Sequence, residues 1–311
     1  MNKRILVTGG AGFIGSYLCE KLVNKGNYVI CCDNFYTGNK NNLVNLLNNK
    51  NFELIQHDIT FPIYLEVDEI FNFACPASPV HYQNDPVQTI KTCVHGAINM
   101  LGLAKRTKAK IIQASTSEIY GDPEIHPQNE SYKGSVNCIG PRSCYCEGKR
   151  FAESLTFDFA RIYGLKVHVA RIFNTYGPRM RVDDGRVISS FICQSLKENY
   201  ITIYGTGDNT RSFCYVDDLV SGLIRLMNST YCGPINIGNN EEISIFSLAE
   251  MISKKINKKV NIKYCSPRED DPRFRKPHLL LAKNKLDWQP TINLDEGISR
   301  TIMYFRKILD L

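Results

Sequence analysis

Residues 8–16 read TGGAGFIGS, and they follow a short run, KRILV, with the apolar and β-branched character of a strand. Gly9, Gly12 and Gly15 therefore fall between a strand and the opening of a helix. The first glycine permits a tight turn, the second lets backbone approach a pyrophosphate, and the third allows close helix–sheet packing. The helix start then offers unpaired N–H groups and a partial positive charge to phosphates. Phe13 and Ile14 complete the loop. Glycine spacing alone is weak, but the next strand, YVICCD, ends at Asp33, 18 residues after Gly15, where a carboxylate can accept hydrogen bonds from an adenosine ribose. No Arg or Lys occurs from 30 through 37 to meet a 2′-phosphate, which favours NAD over NADP.

Working outward, FELIQHD, EIFNFA, AKIIQAS and KVHVARI continue an alternation of strands with helical patterns. Repeated βαβ units of this kind predict an α/β fold, a doubly wound parallel (Rossmann) sheet with helices on both faces. Val87, Ile90, Val94, Ile98 and Leu101 keep a helical rhythm and are expected to pack on that sheet. Asp58 and Ile59 at the end of the third strand, and Ala74 of ACPASP at the end of the fourth, are expected to face the cofactor crevice. In the Asn-rich segment 39–51, Leu43, Leu46 and Leu47 keep a helical stripe.

Past about residue 175, Gly/Pro/Asp-rich loops dominate, with helical segments near 187–197 and 217–228. PINIG, 234–238, is expected to return to the main sheet. The expected organisation is an NAD-binding domain over 1–175, with a return segment near 210–240, and a smaller interleaved substrate-binding lobe over 176–311.

A chain of 311 residues, 43% hydrophobic, has material for a well-buried core. No apolar stretch reaches membrane-spanning length, so the expected location is cytoplasmic, with no membrane partner. Twelve cysteines without a CxxC spacing read as reduced, small core hydrophobes, and six scattered histidines offer no metal site. The net charge of +7 permits an acidic partner. Its basic residues are dispersed, however, and KKINKK, 254–259, reads as a solvated helix face, so a small polyanion is expected and nucleic acid is not.

IGPRSCYCEGKRFAES, 139–154, carries the chemistry. Tyr145 and Lys149 are i and i+4 on a helix whose buried face is expected to continue through Ala152, Leu155, Phe159 and Ile162. An ammonium beside a phenol favours phenolate and is expected to lower the tyrosine pKa from about 10. Tyr145 could then exchange a hydroxyl proton while hydride moves to a nicotinamide. A YxxxK pattern is common by itself. Here it accompanies a dinucleotide loop and a hydroxyl-rich strand end, ASTSEIYG at 114–121, where Thr116 or Ser117 can bond the same substrate hydroxyl.

TGGAGFIGS, ACPASP, STSEIYGDP, HPQNESYKGSVN, IGPRSCYCEGKR, RIFNTYGPRM, TRSFCYVDDL and EDDPRFRKP together resemble the extended short-chain dehydrogenase/reductase superfamily, and within it the UDP-glucuronic acid decarboxylase family. The resemblance runs from about residue 3 to 305. It implies NAD-dependent oxidation at C4 of the glucuronate ring, loss of CO2 from the resulting β-keto acid, and re-reduction to UDP-xylose. It implies that Tyr145 is the base and later the acid, that Lys149 tunes it and holds the nicotinamide ribose, and that Thr116 shares the C4 hydroxyl. Glu118 and Arg275 resemble the pair around the carboxylate-bearing carbon. Asn34, Thr37, Gly38, Thr92, Ala114, Thr175 and Arg186 match cofactor contacts. Tyr64, Lys91, Asn99, Lys105, Arg106, Asn174 and Arg211 match sugar-nucleotide contacts, with Arg211 suited to the diphosphate. A homodimer through the helices near 87–106 and 145–162 is also implied.

Three positions depart from the family pattern. Cys146 replaces the usual Asp and, one residue from Tyr145, is expected to turn about 100° from the catalytic face with little kinetic effect; a low-pKa, oxidisable thiol is the lesser reading. His278 stands where Asp is general, and Asp287 where Gly is usual. Among rival functions, a nucleotide-sugar 4-epimerase or 4,6-dehydratase shares the glycine loop, Tyr and Lys. A dehydratase typically has Asp-Glu after the strand-end Thr, whereas Ser117 and Glu118 follow here; an epimerase usually lacks the glutamate and the RKP arginine. A non-catalytic NAD-binding scaffold would be marked by loss of Tyr145 or Lys149, and both are present.

Overall fold

The computed structural model describes residues 2–198, 200–258 and 260–311. The first half runs β1 (Arg4–Thr8), α1 (Phe13–Asn24), β2 (Tyr28–Asp33), β3 (Phe52–Gln56), β4 (Glu69–Asn72), α2 (Pro79–Asn84), α3 (Pro86–Thr107), β5 (Lys110–Thr116), α4 (Ser143–Tyr163) and β6 (Val167–Ile172). The second runs β7 (Thr175–Tyr176), α5 (Val187–Lys197), β8 (Tyr200–Tyr204), β9 (Thr210–Ser212), β10 (Cys214–Tyr215), α6 (Val216–Asn228), β11 (Pro234–Ile237), β12 (Glu242–Ser244), α7 (Ile245–Ile256), β13 (Asn261–Cys265), β14 (Phe274–Arg275), α8 (Leu280–Leu286) and α9 (Leu294–Ile308).

A seven-stranded parallel sheet has the order β11-β6-β5-β4-β1-β2-β3. Apart from the edge strand β3, its strands are buried on both faces, as parallel sheets require. Along β1, Ile5 and Val7 join a core shared with α1, α6 and the second lobe, while Leu6 joins another beneath α3 with Ile70, Met100 and Ile111. The chain reaches the edge at β3 and returns past β1 to β4, so a topological switch point lies between β1 and β4, and the glycine loop sits there. β11 pairs with β6, Ile235 opposite Ala170, which brings the chain back from the second lobe. No helix among the described residues is long and apolar enough to cross a membrane.

The α3 face differs from expectation. Leu101 is buried as expected and Val94 is half-buried, but Val87, Ile90 and Ile98 are exposed, and the rest of the buried face is Thr89, Cys93, Gly96, Ala97, Met100, Leu103 and Ala104. Close approach decides this: a Cβ on Gly148 of α4 would lie 2.8 Å from the Cys93 Cβ, and one on Gly96 would lie 2.5 Å from Ile59. Small residues therefore win the interface and the branched stripe turns outward. On α4, Ala152 is buried, Leu155 and Phe159 are partly so, and Ile162 is exposed. In the Asn-rich segment a single 3-10 turn, Lys40–Leu43, replaces a helix; Leu43 and Leu46 are buried while Leu47 is exposed. In KKINKK, α7 stops at Ile256 because Asn257 takes a left-handed conformation, and Lys255 pairs with Asp295 of α9 at 2.7 Å instead of facing only solvent. Lys259 lies outside the described residues.

Candidate active site

The crevice above the switch point is shaped by backbone. Gly9 has φ 67°, and an added Cβ there would lie 2.9 Å from the Ala74 backbone; at Gly15 it would lie 2.1 Å from the Gly9 carbonyl oxygen. Gly12 caps α1 without a side-chain hydrogen bond, leaving the helix-start N–H groups available to phosphate. Asp33 accepts from Ala11 N at 2.9 Å and Phe35 N at 2.8 Å. Burial raises its carboxyl above the ordinary range and those N–H groups oppose the rise. Gly38 lies against Asp33, where a Cβ would meet Oδ1 at 2.6 Å.

A cavity of about 480 Å³ is lined by Gly9, Gly12, Phe13, Ile14 and Gly15, by Asp33, Asn34, Thr37, Asp58 and Ile59, and by Ala74, Thr92 and Arg186, among others. A glycine cradle at a bare helix start, with a carboxylate at the next strand end, fits NAD. Arg179 and Arg181 also line it, unanticipated by the sequence reading; they come from the loop after β7, and Arg181 donates to the Thr37 carbonyl at 3.4 Å.

A cavity of about 110 Å³ adjoins it, lined by Ala114, Thr116, Glu118, Tyr145, Lys149, Asn174, Thr175 and Arg275, among others. Tyr145 and Lys149 are both buried. The Lys149 Nζ donates to the Ala114 carbonyl at 3.0 Å and lies 5.7 Å from the Tyr145 ring centroid. The expected lowering of the tyrosine pKa is not what this arrangement produces. Burial pushes the phenol well above 10, reinforced by Cys75, Glu118 and Cys93, and Thr116 works in the opposite direction.

The strand-end turn is fixed from behind. Glu118 N donates to the Thr116 hydroxyl at 3.2 Å. Arg171 of β6 pairs with Glu153 of α4 at 2.8 Å and donates to the Tyr120 hydroxyl at 3.0 Å, which in turn donates to Asn236 of β11 at 2.8 Å. Removing one member of such a buried pair costs about 3–5 kcal/mol.

Beyond Glu118 a third cavity, about 340 Å³, is lined by Arg142, Asn174, Arg211, Asp271 and Arg275, among others. Arg275 faces Glu118 Oε1 at 3.5 Å and donates to Asn174 Oδ1 at 3.4 Å. Arg142 lies 3.8 Å from Glu118 Oε2 and 2.8 Å from Asp271. Arg211 pairs with the other Asp271 oxygen at 2.9 Å. Burial, above all, lowers the Arg211 pKa to about 10, with Asp271 opposing and Arg275 and Arg142 assisting. Although burial raises the Asp271 carboxyl, the three guanidinium groups hold it below its ordinary value. Arg142, Arg211 and Arg275 outnumber Glu118 and Asp271, and Arg268 lines the same cavity, so the cluster stays net positive for an anionic ligand.

Arg142 and Asp271 were not singled out from the sequence. Arg142 stands three residues before Tyr145, one helical turn away, and that spacing is the signal that points to it.

Five of the expected sugar-nucleotide contacts are not brought to these cavities. Tyr64 is 79% exposed, and Lys91 is exposed. Asn99 donates to the Ile59 carbonyl at 2.8 Å, Lys105 lies 3.7 Å over the Tyr163 ring, and Arg106 pairs with Glu66 at 2.5 Å. α3 carries its later residues away from the carboxyl edge: at 1.5 Å per residue, 19 residues from Pro86 to Lys105 span roughly 28 Å.

The GDP-mannose 4,6 dehydratase family model matches residues 6–301. The chain is 56% identical over 298 residues to UDP-glucuronic acid decarboxylase 6 of Arabidopsis thaliana, covering 96% of this chain and 87% of that protein. The chain belongs to the UDP-glucuronic acid decarboxylase family. Among solved structures, the UDP-glucose 4-epimerase of Thermotoga maritima, bound to UDP-glucose, matches with TM-score 0.89 and 31% identity over 98% of this chain and 99% of that one. A UDP-glucuronic acid 4-epimerase mutant of Bacillus cereus, bound to UDP-4-deoxy-4-fluoro-glucuronic acid and NAD, matches with TM-score 0.89 and 26% identity over 98% and 99%.

The departures from the decarboxylase family pattern now have positions. Cys146 does not turn away: it is buried with Sγ 3.9 Å from Glu118 Oε2. Burial and the Glu118 charge raise its thiol pKa, against a reactive thiolate. His278 is exposed and engages the structure through its backbone N–H, which donates to the Gln128 carbonyl at 2.8 Å. Asp287 caps α8 at φ 49°, a left-handed position where glycine costs least.

Proposed function

We infer that this chain converts UDP-glucuronate to UDP-xylose and CO2, with NAD as a cofactor regenerated in each turnover. The carrying observation is Glu118 facing Arg275 at 3.5 Å in the cavity that also holds Thr116, Tyr145 and Lys149. A guanidinium at that point suits a substrate carboxylate, which the UDP-hexose substrates of other epimerases and dehydratases lack; a 4-epimerase of UDP-glucuronate would share that need, and release of CO2 separates the two.

When bound, NAD+ would supply the hydride acceptor for C4 and the hydride that later reduces the C4 ketone. Tyr145 takes the C4 hydroxyl proton and returns it in the closing step, with Thr116 bonding the same hydroxyl. Lys149 anchors the strand end through Ala114 and would hold the nicotinamide ribose. Once C4 is a ketone, the bond from C5 to the carboxylate breaks, its electron pair moves to the C4 oxygen as an enolate, and CO2 leaves. C5 is then protonated. Arg275 orients the departing carboxylate and Glu118 orders the proton source. Arg211, with Asn174, receives the diphosphate, using the surplus charge of the cluster. On this reading residues 1–175 with the 210–240 return hold the cofactor, and the rest of 176–311 forms the substrate lobe.

The exposed apolar stripe of α3, Val87, Ile90 and Ile98, with Phe151 and Ile162 of α4, supports a homodimer through these two helices. Light scattering at twice the chain mass of 35.4 kDa is the expected result.

The test is NMR of the sugar nucleotide during incubation with UDP-glucuronate, with absorbance recorded for NADH. UDP-xylose without net NADH is expected. Interconversion or dehydration of UDP-hexoses, with UDP-glucuronate untouched, contradicts the reading.

A further inference from the structure

Tyr82 belongs to no motif that points to chemistry, yet it is wholly buried immediately behind the reaction cavity. Its place on α2 is fixed through its carbonyl, which accepts from the Thr89 hydroxyl at 3.2 Å and the Cys144 thiol at 3.7 Å. Its ring lies parallel to that of Tyr145, with centroids 5.0 Å apart and planes 3° apart. Its hydroxyl donates to Glu118 Oε2 at 3.3 Å. One side chain thus touches both the proton-transfer phenol and the carboxylate beside Arg275.

The two oxygens of Glu118 have different surroundings. Oε2 faces the Tyr82 hydroxyl, Arg142 at 3.8 Å and the Cys146 thiol at 3.9 Å, whereas Oε1 faces Arg275 at 3.5 Å. A glutamate rotates freely about its last bond unless its oxygens are held, because that torsion is broad. The neighbours of Oε2 hold it, leaving Oε1 turned to Arg275.

We propose that Tyr82 is a positioning residue for decarboxylation: its hydroxyl clamps Glu118 so that Oε1 and Arg275 meet the carboxylate-bearing carbon, while its ring holds the plane of Tyr145. This rests on the decarboxylase reading. Burial and the Glu118 charge both raise the Tyr82 phenol above its ordinary value, so it stays protonated and acts only as a donor.

Tyr82→Phe keeps the ring stack and deletes the donor. With the full-length enzyme and UDP-glucuronate, the expected kcat falls about 10- to 100-fold, the worth of one hydrogen bond to a charged group, with KM changed less than threefold. Because C4 oxidation precedes the affected step, NADH absorbance should rise in the first turnover and persist, with a 4-keto species visible by NMR. Tyr82→Phe combined with Glu118→Gln should be no slower than Glu118→Gln alone, since both act through one carboxylate.

Thermal melting checks folding. If Tyr82→Phe does not fold, a ring-fluorinated tyrosine at 82, which keeps the shape and changes only donor strength, must shift the same NADH transient. A folded Tyr82→Phe with wild-type kcat and no transient overturns the proposal, as does full additivity with Glu118→Gln. If the wild-type enzyme itself forms no UDP-xylose, the functional reading has failed independently of Tyr82.

Discussion

On the cofactor side of Tyr145 the phosphate-facing end is built from backbone, glycines with no room for a Cβ beside strand ends, with Asp33 held by two N–H groups. On the substrate side the wall is side chains, three buried arginines balanced against Glu118 and Asp271. The first surface recognises a phosphate through local geometry and tolerates no added atom. The second recognises an anion through charge brought together from distant segments, and single changes there should weaken one step while leaving the fold.

The largest expected effect lies on the backbone side. Gly15→Ala forces a Cβ to 2.1 Å from the Gly9 carbonyl oxygen. NADH affinity should fall about 1,000-fold, or about 4 kcal/mol, beyond the usual range for an inserted methyl. Fluorescence titration of NADH measures it, and wild-type affinity would contradict a backbone-built site.

Acid should act next through a group outside both cavities. His168 on β6 is buried; its Nδ1 meets the Tyr231 carbonyl at 2.7 Å and its Nε2 has no hydrogen-bond partner among the described residues. Burial lowers its pKa from 6.5 to about 4. The neutral ring is therefore the folded form: its contribution is complete above pH 6.5 and is lost as pH falls toward 4. That is roughly 3 kcal/mol at most, and most of it should be gone by pH 4.5. Asp271, held below its ordinary value, contributes above pH 3.8 and is lost only below it. Urea unfolding at pH 7 and 4.5 should show the drop in the wild type and a flatter response in His168→Gln.

On the charged side, Arg211→Gln should raise KM for UDP-glucuronate about 30-fold, about 2 kcal/mol, with NADH affinity unchanged. Steady-state kinetics beside the NADH titration tests it; equal losses of both ligands would erase the distinction between the regions. The smallest effect is expected away from both. Asp287→Gly relieves a left-handed cap and gives up an exposed contact with Arg225, for a gain of about 0.5–1 kcal/mol seen as a small rise in Tm.

The same contrast explains what could be read in advance. Strands, the glycine loop and Asp33 are local patterns, so the doubly wound sheet and most of the cofactor wall followed from residue order. Tyr82, Arg142 and Asp271 meet across as many as 189 positions of sequence, and no period encodes that meeting. Apolar rhythm selects the most hydrophobic face of α3, whereas close approach selects small residues, Cys93 against Gly148 of α4 and Gly96 against Ile59, so Val87, Ile90 and Ile98 face outward and of that stripe Leu101 is buried. Lys149 was expected to govern Tyr145, but burial outweighs it, and a spacing of i to i+4 carries no information about burial.

The most direct test follows one hydrogen. UDP-glucuronate deuterated at C4 is turned over with excess unlabelled NADH in solution, and the UDP-xylose is examined by NMR. Deuterium retained at C4 of the product is expected, because the hydride leaves and returns within one closed site. Loss of deuterium to the external nicotinamide pool would contradict a closed redox cycle, and with it the assignment of Tyr145, Glu118 and Arg275 to a single uninterrupted reaction.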